Sequence, residues 1–420
     1  MLTAGTSIID ISPDAGVQLA GYPHCPRPNT GVHDPLYAAC LYLDDGTTDI
    51  ALVTADLLYL GKEYVKKIRE KTGKTAMFTA SHTHSGPWAS DVLASEYAEG
   101  IRADEKYAGA LVDKICRLIE KAASDTFRAD FGSGSGICGA EQGVGGNRRQ
   151  KGGSCDPSVN VLAVKDKTGL VRACLVNYAL HPTFLHAENT LVSADYPAYI
   201  RRYFSFAYPK AVTLFAQGAS GDQSSRYHRT GQNFEEAARV GTTIAAEARR
   251  CVENMTFGDA APIKIKSGEI DLPLRRFAPV GEAEKNLEEA KAAFERARNA
   301  DYISMRNAEL ALFGAENALT FAEMQKKGFV TNELPCEIQT VSIGGTSIVG
   351  IQGELFVSYA LEIKAASKAE RTFVFEVTNG GLPGYVYTPE AEKEGGYEVG
   401  TSMLSPSAGE RIVNQVKKLL

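Results

Sequence analysis

Short apolar runs broken by glycine and proline occupy the chain from residue 1 to about 60. TSIIDIS, AACLYL and DIALVTADLLYL each read as a buried strand. Apolar positions then take helical spacing over Lys62–Thr72 and Asp104–Ala123, and between these segments MFTASHTH predicts a strand running into a loop. The alternation continues. RACLVNYALHP reads as a strand, Tyr196–Phe204 as a helix, and AVTLFAQGASGD as a strand ending in a Gly-rich turn. Gly281–Lys327 breaks the rhythm: rich in Ala, Glu, Lys, Arg and Leu, without proline and with Gly314 as its one interior glycine, it predicts a pair of long helices. After it, IQTVSIGGTSIVGIQGELF predicts a hairpin turning at Gly344–Gly345, RTFVFEVTNG a further strand, and Ser407–Leu420 a closing helix.

Strands alternating with helices, with no internal repeat and no Pro- or Ser-rich linker, predict an α/β fold. The expected architecture is layered mixed β-sheets flanked by helices, in a single domain spanning 1–420 with a helical insert at about 281–327.

Composition narrows the class of function. Hydrophobic residues make up 44% and charged residues 23% of the 420, which suits a globular chain with a substantial core. A formal net charge of -6 argues against a nucleic-acid partner, whose readers concentrate basic residues on one face. No run reaches the ~18 apolar residues of a membrane span, and MLTAGTSIIDISPDAG lacks the basic and apolar regions of a secretory leader, so a cytoplasmic location is expected. The eight cysteines lie far apart without a CxxC, which points away from a thiolate zinc cluster and toward plain buried thiols.

Chemistry concentrates at strand ends. Two of the seven histidines, His82 and His84, fall in SHTHSGP directly after an apolar strand. Residues two apart on a strand share a face, so both imidazoles can converge on one ion, or one can bind while the other handles protons. His181 in NYALHP closes a second strand, and Pro182 stops that strand from continuing. Glu354 in IVGIQGELF follows apolar residues, where a buried carboxylate requires a cation or hydrogen-bond donors. Asp222 and Ser224 in GASGDQSS occupy a turn that presents polar groups at a strand end, although it is not the GxSxG elbow and a plain polar turn has the same look. Arg148 in GVGGNRRQKGG can reach a substrate oxygen bidentately or simply face solvent. Tyr385, Tyr387 and Tyr397 sit in GLPGYVYTPEAEKEGGYEVG, as rim packing or as a phenol that a cation could acidify.

In order along the chain, SIIDISPDAGVQLAGYP, GVHDPLYAACLYLDDG, ALVTADLL, SHTHSGP, NRR with DPSVNVLAV, NYALHP, GDQSS, GELF, GYVYTPE and GGYEV resemble the neutral (non-lysosomal) ceramidase family. The resemblance spans nearly the whole chain but includes nothing like that family's C-terminal immunoglobulin-like domain. GDQSS stands where the family has a GDVSP-like turn, and the helical insert has no evident counterpart. What the resemblance implies is a hydrolase that cleaves an N-acyl amide bond in a lipid-like substrate, with one zinc ion per chain. By the same likeness His82, His181, Glu354 and Tyr385 would hold the zinc, with Tyr387 the other choice for the phenol. His84 would be the general base, Arg148 and Tyr397 would steady the developing oxyanion, and Ser224 would be a nucleophile or an orienting hydroxyl. Two other readings of the same histidines are a metal hydrolase of the (β/α)₈ amidohydrolase type and a non-catalytic lipid- or carbohydrate-binding homologue.

Overall fold

The structure is a computed structural model that describes residues 1–22, 25–89, 104–328 and 332–420. Its largest element is an eight-stranded sheet in the order Val212–Gln217, Val171–Tyr178, Ser158–Asp166, Thr126–Ile137, Thr3–Asp10, Tyr37–Asp44, Asp49–Ala55, Ala76–Ala80. The outermost pair at each end is parallel and every interior pair antiparallel. A parallel ring of eight βα units is therefore excluded, and with it the (β/α)₈ reading. The long sheet curls, so that Val212–Gln217 at one end contacts Tyr37–Asp44, Asp49–Ala55 and Ala76–Ala80 at the other. That curl brings strand termini distant in sheet order to one place.

A second sheet, in the order Lys264–Pro273, Glu333–Ile343, Thr346–Ile351, Arg371–Phe375, packs against the first. Leu41, Leu52, Leu175 and Leu214 of the long sheet meet Val341, Ile348 and Phe373 of the short one in a common apolar layer. Helices cover the outer faces. Lys62–Thr72 and Glu105–Ser124 bury Val65, Ile68, Leu111, Ile115 and Ile119 on one side. Tyr196–Ala207 and Phe234–Asn254 bury Ile200, Phe204, Val240 and Ile244 on another. Val357–Ala366 and Ala408–Leu419 cover the free face of the short sheet. The layered α/β architecture expected from the alternation is the one observed. Among the described residues no helix is long and apolar enough to cross a membrane.

The insert folds as Val280–Ala297 and Tyr302–Lys326, packed on each other. The second of these rests on the short helix Tyr397–Gly400, where Gly314 and Gly400 meet backbone to backbone: a Cβ on Gly400 would stand 3.1 Å from the Gly314 Cα.

The 21-residue helix Phe234–Asn254 is one that the apolar pattern did not single out. Its signals are present all the same: the Asn233 side chain accepts from the Glu236 amide at the N-cap, and Glu235 and Glu236 occupy the first turn. Thr126–Ile137, with glycine at 132, 134 and 136, is a strand whose missing side chains leave room for Met255, Cys251 and Glu247 of that helix.

Candidate metal centre

The site begins where strand Ala76–Ala80 stops pairing. His82 and His84 are brought to one point by a turn, not by the two-residue period of a strand: His82 has φ of 62°, the left-handed region that a side chain makes costly. The surroundings hold this conformation. The Ser81 amide donates to the Ala55 carbonyl (2.9 Å), Thr83 Oγ1 donates to the Ser193 carbonyl (2.7 Å) and accepts from the Ser85 amide (3.1 Å). His181 lies three residues past the end of Val171–Tyr178, its amide donating to the Gln223 carbonyl (3.1 Å). Glu354 begins the two-residue strand Glu354–Leu355, which pairs in parallel with Tyr385–Val386 and sets Glu354 opposite Tyr385.

The imidazoles of His82, His84 and His181 converge. Ring centroids stand 4.7 to 5.1 Å apart, and one ligand nitrogen from each lies within 4.8 Å of the others. Each Nδ1 faces a backbone carbonyl: Leu58 O at 3.0 Å from His82, Gly21 O at 3.0 Å from His84, and Ser220 O at 3.2 Å from His181. A carbonyl only accepts, so each Nδ1 carries hydrogen and donates, which leaves each Nε2 as a lone pair in the neutral ring. Glu354 Oε2 stands 3.3 Å from His82 Nε2 and 3.6 Å from His181 Nε2. Nε2 of His82, Nε2 of His84 and Oε2 of Glu354 are all buried without a hydrogen-bond partner among the described residues. Acceptors aimed at one another in a dry place are costly unless a cation lies between them. Three imidazoles and a carboxylate are also the donor set that suits zinc and its neighbours. The residues fit the ion.

Burial, then the nearby His82 and Arg27, hold His84 well below the usual histidine range; burial, then Arg148 and the other two imidazoles, do the same to His181. Both are neutral, as ligation or proton acceptance requires. Burial pulls hardest on His82, but Glu354, Glu376 and the Leu58 carbonyl together outweigh it and the net direction is up. Gly21 permits the contact with His84. With φ of 94° and no side chain, it lets its carbonyl approach a ring that a Cβ would meet at 2.5 Å.

A second group adjoins the first across the Glu354–Tyr385 pairing. Tyr385 is buried, its ring 5.3 Å from the Arg148 guanidinium and 6.0 Å from the Tyr397 ring. Arg148 Nε donates to Glu398 Oε1 (2.8 Å), Arg149 Nη1 donates to Glu398 Oε2 (2.7 Å), and Arg148 Nη2 is buried with no partner among the described residues. Arg148 is thus a buried, braced guanidinium and not a solvated loop residue. Tyr387, two residues past Tyr385, has its hydroxyl committed to the Leu404 carbonyl (3.0 Å) inside the core.

Ser224 is buried on Gln223–Ser224, which pairs with Gly146–Asn147 beside Arg148, and its Oγ accepts from the Arg226 amide (3.2 Å). Asp222 is a pin: Oδ1 accepts from the Val357 amide (2.9 Å) at the start of a helix and Oδ2 from Asn147 Nδ2 (3.0 Å). Three polar residues beside the site were not singled out by the sequence pattern. Ser220 and Glu376 are completely buried behind His181, and Glu398 braces Arg148. Burial outweighs the opposing pull of His82 and holds Glu376 up at about 8. A lone acid inside the apolar run FVFEVTNG was the available signal.

No family model matches the chain. The neutral ceramidase of Pseudomonas aeruginosa is 23% identical over 96% of this chain and 69% of that protein. A crystal structure of neutral ceramidase from the same organism superimposes with a TM-score of 0.74 at 18% identity, covering 99% of this chain and 73% of that one. A ceramidase complexed with C2 gives 0.76 at 18% identity, covering 99% and 74%. Sequence likeness along nearly its whole length, on a shared layered fold, makes this chain a homologue of neutral ceramidase.

Proposed function

We propose that the protein is a zinc-dependent amide hydrolase that cleaves the N-acyl bond of a ceramide-like lipid. The observation that carries the reading is the convergence of unpartnered acceptors at His82, His84 and Glu354 around one buried point, in a homologue of neutral ceramidase. His82, His181 and Glu354 would hold the ion, with the phenol of Tyr385, set opposite Glu354 by the strand pairing, as the fourth ligand. Zinc held there would supply a Lewis acid able to acidify a water and polarise the amide carbonyl.

The remaining steps belong to side chains. His84, neutral and with its Nε2 lone pair facing the same point, takes the proton of the attacking water and delivers it to the leaving nitrogen. Arg148 offers Nη2, held by Glu398 through its Nε, to the carbonyl oxygen as negative charge builds there, and Tyr397 supports it from the Tyr385 side. Ser224, whose Oγ already accepts from the Arg226 amide, keeps its O–H to orient the substrate.

Zinc content and hydrolysis of a fluorogenic N-acyl sphingosine analogue, measured together on His82→Ala and Glu354→Ala, test the reading. Loss of both zinc and turnover is expected; full zinc retention in both variants sinks it. A second reading makes His84 a ligand, since its ring lies as near to His181 as to His82. His84→Ala separates the two: as a base it is dispensable for zinc content, as a ligand it is not.

A further inference from the structure

We propose that Glu376 is a positioning residue for the metal centre, one buried carboxylate that orients His181 through Ser220 and Glu354 through the Leu355 amide. The inference rests on the metal-site reading above and extends it to a residue outside the ligand set.

The contacts define the arrangement. Glu376 directly follows strand Arg371–Phe375 and is wholly buried between the two sheets, its amide donating to the Gln217 carbonyl (3.0 Å). Oε2 accepts from the Leu355 amide (2.8 Å), the residue after Glu354. Oε1 accepts a short hydrogen bond from Ser220 Oγ. That same Oγ stands 3.3 Å from His181 Nδ1, whose other neighbour is the Ser220 carbonyl at 3.2 Å. Since Ser220 spends its one hydroxyl hydrogen on Glu376, its lone pairs face the imidazole. The Nδ1 hydrogen of His181 is then shared between two oxygens of one residue, and the Nε2 lone pair points at the site.

Among the described residues this backing is peculiar to His181. Nδ1 of His82 and of His84 meets a backbone carbonyl and no such side chain. Packing alone does not account for a carboxylate here, because an uncompensated acid in a dry core is costly and an apolar residue would fill the space. A cation at the site favours the ionised form of an acid whose pKa burial otherwise raises, and what the carboxylate then adds is hydrogen-bond direction: it accepts at both oxygens, which an amide cannot do. In Glu376→Gln the amide nitrogen donates to Ser220 Oγ, the serine hydrogen is released toward His181 Nδ1, and the imidazole is drawn to the tautomer that carries hydrogen on Nε2. That tautomer cannot ligate.

The test is the zinc dissociation constant, read by competition with a chromophoric chelator, for wild type, Glu376→Gln, Ser220→Ala and the double variant, with thermal midpoints of the metal-free proteins alongside. Glu376→Gln is expected to bind zinc about 10–100-fold more weakly, the usual cost of removing a group that orients a ligand. The double variant is expected to be no weaker than the worse single one, because both act on one hydrogen. Wild-type zinc affinity in a folded Glu376→Gln, with only the metal-free midpoint lowered, overturns the proposal and leaves the metal site standing; so do losses that multiply in the double variant. Should Glu376→Gln not fold, Ser220→Ala alone decides, weaker zinc binding supporting the proposal and unchanged binding overturning it. A wild-type protein that binds no zinc at all removes the metal-site reading and this inference together.

Discussion

Nε2 of His82 and Oε2 of Glu354 stand 3.3 Å apart in the protein interior, 1% of His82 and 19% of the Glu354 side chain reaching solvent. Both are acceptors when the imidazole is neutral. The contact is either a hydrogen bond to an imidazolium or half of a cation site, and metal decides between them.

Removal of metal by a chelator should therefore lower the thermal midpoint of the wild type, and added zinc should restore it. A ligand at 100 times its dissociation constant contributes about 2.7 kcal/mol to stability. Glu354→Ala should show neither the fall nor the recovery. A wild-type midpoint indifferent to chelator would count against a bound ion.

Loss of the Arg148 guanidinium should separate catalysis from metal. Arg148→Ala is expected to lower kcat on the N-acyl substrate by about 10²–10³, the usual effect of removing one donor to a developing oxyanion, with zinc content unchanged. Glu398→Gln, which leaves Arg148 in place but loosens its clamp, should fall between wild type and Arg148→Ala. Equal kcat in all three would show that Arg148 does not meet the reacting carbonyl.

Gly21→Ala should act on His84 alone. A Cβ there stands 2.5 Å from the imidazole, and the positive φ adds roughly 1–2 kcal/mol of backbone cost for any side chain. Turnover should drop while zinc stays bound if His84 handles protons; loss of zinc instead would mark it as a ligand.

Acid stability has a contribution from Glu236. Arg239, the Thr230 amide and the Thr230 hydroxyl hold its pKa down to about 2, below an ordinary value of 4.5. A lowered carboxylate stabilises the fold fully above the ordinary value and loses that contribution as pH falls toward 2. Urea midpoints of wild type and Glu236→Gln should thus differ at pH 7 and converge by pH 2. A gap that persists at low pH would show that the ionised carboxylate is not what stabilises this turn.

Much of this site can be read without coordinates, because the strands that carry it are strongly apolar and end at punctuating residues. MFTASHTH and NYALHP announce a strand end with a histidine beyond it, and GELF places an acid where water is scarce. The pattern does not convey how the chain turns there. His82 and His84 looked like neighbours on one strand face, and the left-handed backbone at His82 that aims them has no local signature. Ser220 and Glu376 are silent for a different reason: their partners are far along the chain, and a serine after a glycine turn or an acid in a strand reads as surface until the two sheets close over it.

The centre gathers its groups from distant strand ends, and its two oxygen donors, Glu354 and Tyr385, come late in the chain. A nascent polypeptide that has exposed only His82 and His181 owns two imidazoles without their counter-charge, so tight capture of an ion must await synthesis of the segment bearing Glu354. Contacts between such distant segments form slowly. With the proposed ligand set, metal loading would therefore follow closure of the second sheet upon the first.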